Sequence, residues 1–229
     1  MRLYYFTSAQ FALEAVRHQR YKLSTFDNLN DPFELFAPDL SDETVRAAFR
    51  QFKRKCATEI AMLCCSKSWG NTLLWSHYAD RHTGIALVLE VADECVTHVR
   101  YRKTRRALSL GEMDREMRTK GISAISKESL QVKAYEWGYE DEARIFFGIG
   151  HLPPPNDGLY FCPFDERISL QGLILGPLCQ TSLNDIRRSM PGDIRLQIRK
   201  SRIAFGSFKV VRDKSQSPVW LNSFDEKKQ

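Results

Sequence analysis

This sequence predicts an α+β fold with a mostly antiparallel sheet. Three observations carry that reading. The chain opens strand, helix, strand. A long amphipathic helix follows over residues 41–59. Beyond it, most apolar segments are short runs bounded by turn residues, as strands are, with few intervening helical patterns.

Taken in order, Arg2 to Phe6 is an aromatic strand, and Thr7 with Gln10 matches a helix capping box for a helix to about Gln19. Tyr21 to Phe26 alternates apolar and polar residues. In Asn28-Leu29-Asn30-Asp31-Pro32-Phe33-Glu34, Asn30 or Asp31 is placed to cap a short helix with Pro32 at its first position. Val45, Phe49, Phe52, Cys56 and Ile60 recur at helical spacing, with a basic opposite face. Ile60 to Cys65 reads as a buried strand. Asn71 caps a helix through about His82, ended by Gly84. Ile85 to Val91 is a core strand, with Cys95 to Arg102 its expected partner, and Lys127 to Trp137 reads as helical. Residues 144–148, 159–162, 170–175, 195–198 and 205–211 read as strands, and Ser182 caps a short helix to Met190.

The 229 residues, 43% of them apolar, are enough for a sizeable core in a single domain. That domain carries a basic insertion around residues 100–126. The net charge of +6 and pI near 9.0 are compatible with a polyanionic partner, although on charge alone a solvated basic surface is the simpler reading. The six cysteines form no Cys-x-x-Cys pair, and the histidines show no zinc spacing, so neither a disulfide scaffold nor a metal site is expected. No run is long enough to span a bilayer, and the first residues lack a signal-peptide core. The expected location is the cytoplasm, with no membrane partner.

Three segments set polar and aromatic residues at the edges of elements: Asn30 to Glu34, Trp75 to His82 and Trp137 to Arg144. If they converge, they bring together Asp31, Glu34, Glu140 and Glu142, the Tyr78 phenol, His77 and His82, the rings of Trp69, Trp75 and Trp137, and the cations Lys67, Lys133 and Arg144. Rings for stacking beside carboxylates suit a cationic or heteroaromatic ligand. Glu142 and Arg144 share one side of a strand, so simple pairing is the competing account.

The order N-D-P-F-E (Asn30 to Glu34), C-C-S (Cys64 to Ser66), W-x-x-Y-A (Trp75 to Ala79) and K-x-x-x-W-x-Y-E-x-E-x-R (Lys133 to Arg144) resembles a bacterial family of unknown function. More distantly, Leu3-Tyr4-Tyr5-Phe6-Thr7 and the Glu140-x-Glu142 pair resemble the ADP-ribosyltransferase superfamily, although Tyr5 stands where that superfamily has histidine or arginine. This likeness implies a split sheet with flanking helices and NAD as substrate. It implies Glu142 as the carboxylate that stabilises the ribosyl cation, Glu140 as the second acid and Tyr78 in the catalytic set. It places Tyr5, Thr7, Asn30, Asp31, Trp75, His77 and Arg144 around the cofactor, with Tyr78 or Trp75 stacked on nicotinamide. Arg144 would hold Glu142 ionised or bind phosphate. The expected activity is that of an ADP-ribosyltransferase or NAD glycohydrolase of bacterial defence or toxin type, and the basic stretch from Arg100 to Lys120 favours a nucleic-acid acceptor. The rival expectations are a metal-dependent nuclease or phosphodiesterase using Asp31, Glu34, Glu140 and Glu142, and a non-enzymatic nucleic-acid-binding module. The likeness makes one sharp geometric demand: Glu142 should face a cleft shared with Tyr78 and Tyr5, and Asp141 should point away.

Overall fold

Leu3, Tyr5 and Thr7 alternate with Tyr4 and Phe6, and Arg2–Thr7 accordingly forms a strand (β1) with apolar partners on both faces. A computed structural model describes residues 1–34, 39–105, 130–192 and 194–222. The first helix, α1 (Ala9–His18), is capped by Ser8, whose hydroxyl accepts from the Phe11 N–H. The expected Thr7 cap is displaced by one residue because Thr7 still pairs with Ile85 as the last residue of β1. Ala12, Ala15 and Val16 bury the inner side of α1, and β2 (Arg20–Thr25) follows.

The Asn30–Glu34 segment is a turn rather than a helix among the described residues. Its Asp31 side chain accepts from the Phe33 N–H at 2.9 Å. Asp42 caps α2 (Glu43–Glu59), which buries Val45, Phe49, Cys56 and Ala57. After β3 (Ile60–Ser66), Asn71 caps α3 (Thr72–Tyr78) as expected, but α3 ends a full turn before His82. Asp80, Arg81 and His82 all have positive φ, and the Gly84 N–H bonds back to the Ala79 carbonyl at 2.8 Å. Gly84 is needed for room: a Cβ there would lie 2.2 Å from the Thr7 carbonyl oxygen.

β4 (Ile85–Val91) pairs with β1 along its length and on its other edge with β10 (Ile168–Leu175). Both edges being taken, the expected partner segment goes elsewhere. β5 (Thr97–His98) joins β8 (Glu142–Gly148), and β6 (Arg100–Arg102) pairs in parallel with β7 (Val132–Ala134). The helix expected from Lys127 to Trp137 is, from residue 130 on, largely this short strand and a 3-10 turn over Tyr135–Glu140; residues 127–129 lie outside the described set, as do 106–126 of the basic insertion. Tertiary pairing outweighs a weak local preference here.

β9 (Tyr160–Pro163) pairs with β2, and α4 (Leu183–Ser189) has a full capping box between Ser182 and Asp185. β11 (Arg195–Ile203) pairs with β10, β12 (Val210–Arg212) and β13 (Val219–Asn222). The strand expected over 205–211 is confined to its end, because Phe205 to Phe208 form an exposed turn.

The described strands build one eleven-stranded sheet with the path β12-β11-β10-β4-β1-β3-β2-β9, to which β13, β8 and β5 attach, and a two-stranded β6–β7 sheet. The large sheet is antiparallel except for β10–β11. This is the mixed class the sequence predicts. The main apolar cluster, with Leu3, Val16, Leu87 and Ile186, lies on the side covered by α1 and α4. A second, with Phe6, Leu74, Trp75 and Val88, lies under α3.

One detail of pairing positions everything that follows. β3 gives its whole length to β8 on one edge, from Ile60↔Gly148 to Ser66↔Glu142. Its other edge is shared. β2 holds Ala61 and Met62, whereas β1 holds only Ser66, opposite Tyr4. Between those contacts β1 and β2 part company, and a gap opens beside Cys64.

Candidate functional site

Strand alternation puts Glu142 and Arg144 on one face of β8, opposite Ser66 and Cys64 of β3. Arg144 is fully buried. Its Nε and Nη2 donate to the two Glu142 oxygens at 2.8 and 3.0 Å, and its Nη1 and Nη2 donate to Glu34 at 3.0 and 2.6 Å. One guanidinium thus grips two carboxylates, the bidentate geometry that suits arginine and no other cation. Lys133, on β7, places its ammonium 2.5 Å from Glu140, 3.2 Å from Glu142 and 3.5 Å from Glu34. Glu140 accepts from the Tyr78 hydroxyl through its other oxygen, and Asn30 donates to that hydroxyl at 2.8 Å. The Glu142 N–H donates to the Tyr101 hydroxyl at 2.8 Å. Glu34, Lys133, Glu140, Glu142 and Arg144 are all buried. Three acids against two cations leave this cluster one negative charge in excess.

The two acids of the Glu140-x-Glu142 pair are driven in opposite directions. Burial pushes both upward, but the Arg144 guanidinium outweighs it at Glu142 and holds that carboxyl down at about 2. At Glu140 burial prevails, helped by the neighbouring Glu142 charge against the pull of Lys133, and its carboxyl is raised. Burial and the Glu140 charge likewise raise the Tyr78 phenol, so it stays a donor. Lys133 is opposed by burial but surrounded by carboxylates, and stays firmly charged.

The signs give a stability expectation. Glu142, depressed on folding, contributes fully above its unfolded value near ~4.3 and loses that contribution as pH falls towards 2. Glu140 works the other way, disfavouring the fold as pH rises through its unfolded value towards its raised folded one. Urea unfolding midpoints measured from pH 5 down to 2 should fall, by on the order of 2–3 kcal/mol attributable to Glu142, and Glu142→Gln should flatten that fall. An unchanged slope in the variant would show that the acid-sensitive group lies elsewhere.

Above the ion cluster, at the gap between β1 and β2, is a cavity of about 450 Å³, within the usual range for small-molecule sites. Tyr4 and Phe6 of β1, Cys64 and Ser66 of β3, and Leu74, His77 and Tyr78 of α3 line it, together with Asn28 to Asn30 and the charged Glu34, Lys133, Glu140 and Glu142. Tyr5 and Cys65 pack towards the α1 side of the sheet yet also line the cavity, so it reaches through the gap. A chain of rings continues from its wall: His77 lies 6.1 Å from Tyr139, Tyr139 lies 5.9 Å from Trp137, and the Lys133 ammonium sits 4.8 Å from the Trp137 ring centre.

Six of the sequence-predicted residues therefore meet: Glu142, Glu140, Tyr78, Tyr5, Asn30 and His77. Asp141 turns away, with φ 45° and an ion pair to Lys67 at 2.6 Å. Four need correction. Thr7 lines a separate cavity of about 250 Å³ on the α1 side, with Tyr5, Arg20 and Lys22, because it follows Tyr5 by one strand period. Asp31 is buried outside the lining, its Oδ1 spent on the Phe33 N–H. Trp75 has no exposed surface; it packs edge-on to Phe6 at 5.0 Å, and its indole N–H donates to the Trp69 carbonyl, so it offers no face to a ligand. Arg144 lies behind Glu142 with its fork fully engaged, which leaves the ionising role and removes the phosphate-binding one. His82 lies outside the lining too, in the left-handed stretch after α3.

Glu34 and Lys133, expected among the converging charges but given no part in the NAD chemistry, belong to the site as well. Their signal was their place in the N-D-P-F-E and K-x-x-x-W motifs. Tyr4, Cys64 and Ser66 followed from strand alternation once the register was known. Tyr101, inside a basic run, carried no signal.

No family profile, curated protein or solved structure matches this chain. Among the described residues, no helix is long and apolar enough to cross a membrane. Function must therefore be read from the site itself.

Proposed function

We propose that this protein binds NAD in the cavity at the gap and breaks its nicotinamide–ribose bond, acting as an ADP-ribosyltransferase or NAD glycohydrolase on a split sheet of the ADP-ribosyltransferase kind. The observation that carries the reading is the pair of buried carboxylates, Glu140 and Glu142, side by side in a ring-lined cavity with their proton affinities driven apart. Such a pair divides acid–base work between its members.

In the bond-breaking step the electrons of the C1′–N bond pass to the pyridinium nitrogen, which leaves as neutral nicotinamide. Positive charge grows on the ribose. Glu142, kept ionised by Arg144 and held rigidly by two cations, is a preorganised anion for that charge. Glu140, with a raised carboxyl, takes the proton of the attacking acceptor or water as the new bond to C1′ forms. Tyr78 donates to Glu140 and orients it, and the Tyr78 and His77 rings supply faces for the nicotinamide.

The metal-dependent nuclease reading has less support. Glu34, Glu140 and Glu142 converge, but on the Lys133 ammonium and the Arg144 guanidinium; Asp31 lies apart, and among the described residues no group of three or more His, Cys, Asp or Glu side chains is arranged to hold a metal ion.

Incubation with NAD, alone and with candidate acceptors, should release nicotinamide in proportion to protein, and calorimetry should show NAD binding. If neither release nor binding occurs under any acceptor condition, the reading fails.

A further inference from the structure

Phe205 and Phe208 are 94% and 96% exposed at the tip of the β11–β12 hairpin, whose neck is closed by the Ala204 N–H to the Lys209 carbonyl at 2.9 Å. A folded protein rarely leaves two such rings almost fully in water with only a glycine and a serine between them. The surrounding charge is as unusual. Residues 195–214 hold seven lysines and arginines against one acid, Asp213, an excess of six that equals the net charge of the whole chain. This hairpin is therefore a second strongly basic segment beside the basic insertion around residues 100–126.

The cations and rings are also paired. The Arg202 guanidinium lies 4.2 Å from the Phe205 ring centre, and at the start of β11 Arg195 lies 4.4 Å from that of Trp220, which is 47% exposed. We infer that the β11–β12 hairpin is a docking surface for single-stranded nucleic acid, with bases stacking on Phe205 and Phe208 and phosphates on the flanking cations. An anionic membrane would also attract this charge, but a guanidinium laid on the Phe205 ring makes a stacking platform with a phosphate-binding cation at its flank rather than a free apolar anchor. Single-stranded nucleic acid uses ring and cation together. The surface stands apart from the NAD reading, although the two sites are tied: the Val210 N–H donates to the Gly70 carbonyl, and Asn71, bridged to Lys209, caps α3 and donates to the Tyr139 carbonyl.

The test is fluorescence anisotropy with a labelled mixed-sequence single-stranded oligonucleotide, as DNA and as RNA, over a salt series. At least one of the two should bind at low salt and weaken as salt rises. Phe205→Ala and Phe208→Ala should each weaken binding about fivefold or more at fixed salt, without lowering the melting temperature, since the rings contribute almost no packing. Arg202→Gln with Lys209→Gln should reduce the salt slope. Three results would overturn the inference: no binding at low salt, affinity unchanged in the double phenylalanine variant, or co-sedimentation with phosphatidylserine vesicles while both oligonucleotides are ignored.

Discussion

Arg144→Met is expected to destabilise the protein by about 3–5 kcal/mol, enough to leave much of it unfolded or insoluble. The substitution is close in volume and would suit an apolar core. The core at this point is not apolar. Glu34 and Glu142 would remain buried with only the Lys133 ammonium in reach, at 3.5 and 3.2 Å, and that ammonium is already shared with Glu140 at 2.5 Å. Three buried carboxylates sharing one ammonium are driven to take up protons, and that cost falls on the folded state. Arg144→Lys should fall between the two, because one ammonium keeps the charge but cannot donate to both carboxylates as the fork does. Urea unfolding of soluble protein, or the soluble yield where none refolds, measures the effect. A methionine variant with wild-type stability would mean that the network contributes nothing to the fold.

The second large effect is on turnover. Glu142→Gln should lower nicotinamide release about 100- to 1,000-fold, the usual loss when a preorganised charge partner of a transition state is removed. The structure changes how that variant must be read. Glu142 is a member of the buried network, so its amide leaves Arg144 and Lys133 less well paired and should cost about 1–3 kcal/mol as well. The rate is informative only beside a calorimetric NAD affinity showing a folded site. Glu140→Gln is the cleaner probe. Its carboxyl is raised by burial, so a neutral isostere is easily accommodated, and the amide oxygen can still accept from Tyr78 or Lys133. It should lower turnover about 100-fold and remove the limb of the pH–rate profile belonging to a base of raised pKa. Wild-type release from both variants would dissociate this acid pair from the chemistry.

Much of the framework was legible beforehand. The strands at Arg2–Thr7, Ile60–Ser66 and Ile85–Val91 follow from short aromatic or apolar runs, the helix Glu43–Glu59 from its 3.6-residue period, and the Asn71 and Ser182 caps from single side chains. Reading failed where local preference was weak and a distant partner decided. Val132–Ala134 became a strand because Arg100–Arg102 pairs with it, and Thr97–His98 left β4 because β1 and β10 hold both its edges. Trp75 was offered as a stacking platform by the family likeness, and its surroundings decided otherwise. Its apolar neighbours Phe6, Leu74 and Val88 arrive from three separate elements.

The acid pair shows the same division. Glu142 and Arg144 share a strand face by alternation alone, and that much the sequence determined; the left-handed turn that swings Asp141 out came only with the structure. Only the tertiary structure decided that Arg144 belongs to Glu34, 110 residues away, as much as to Glu142, and that Tyr78 reaches Glu140 across 62 residues. The physical reason is range. Alternation and capping are set by neighbours within a few residues. A buried network is set by where β3 splits its edge between β1 and β2, and that pairing is a property of the whole sheet.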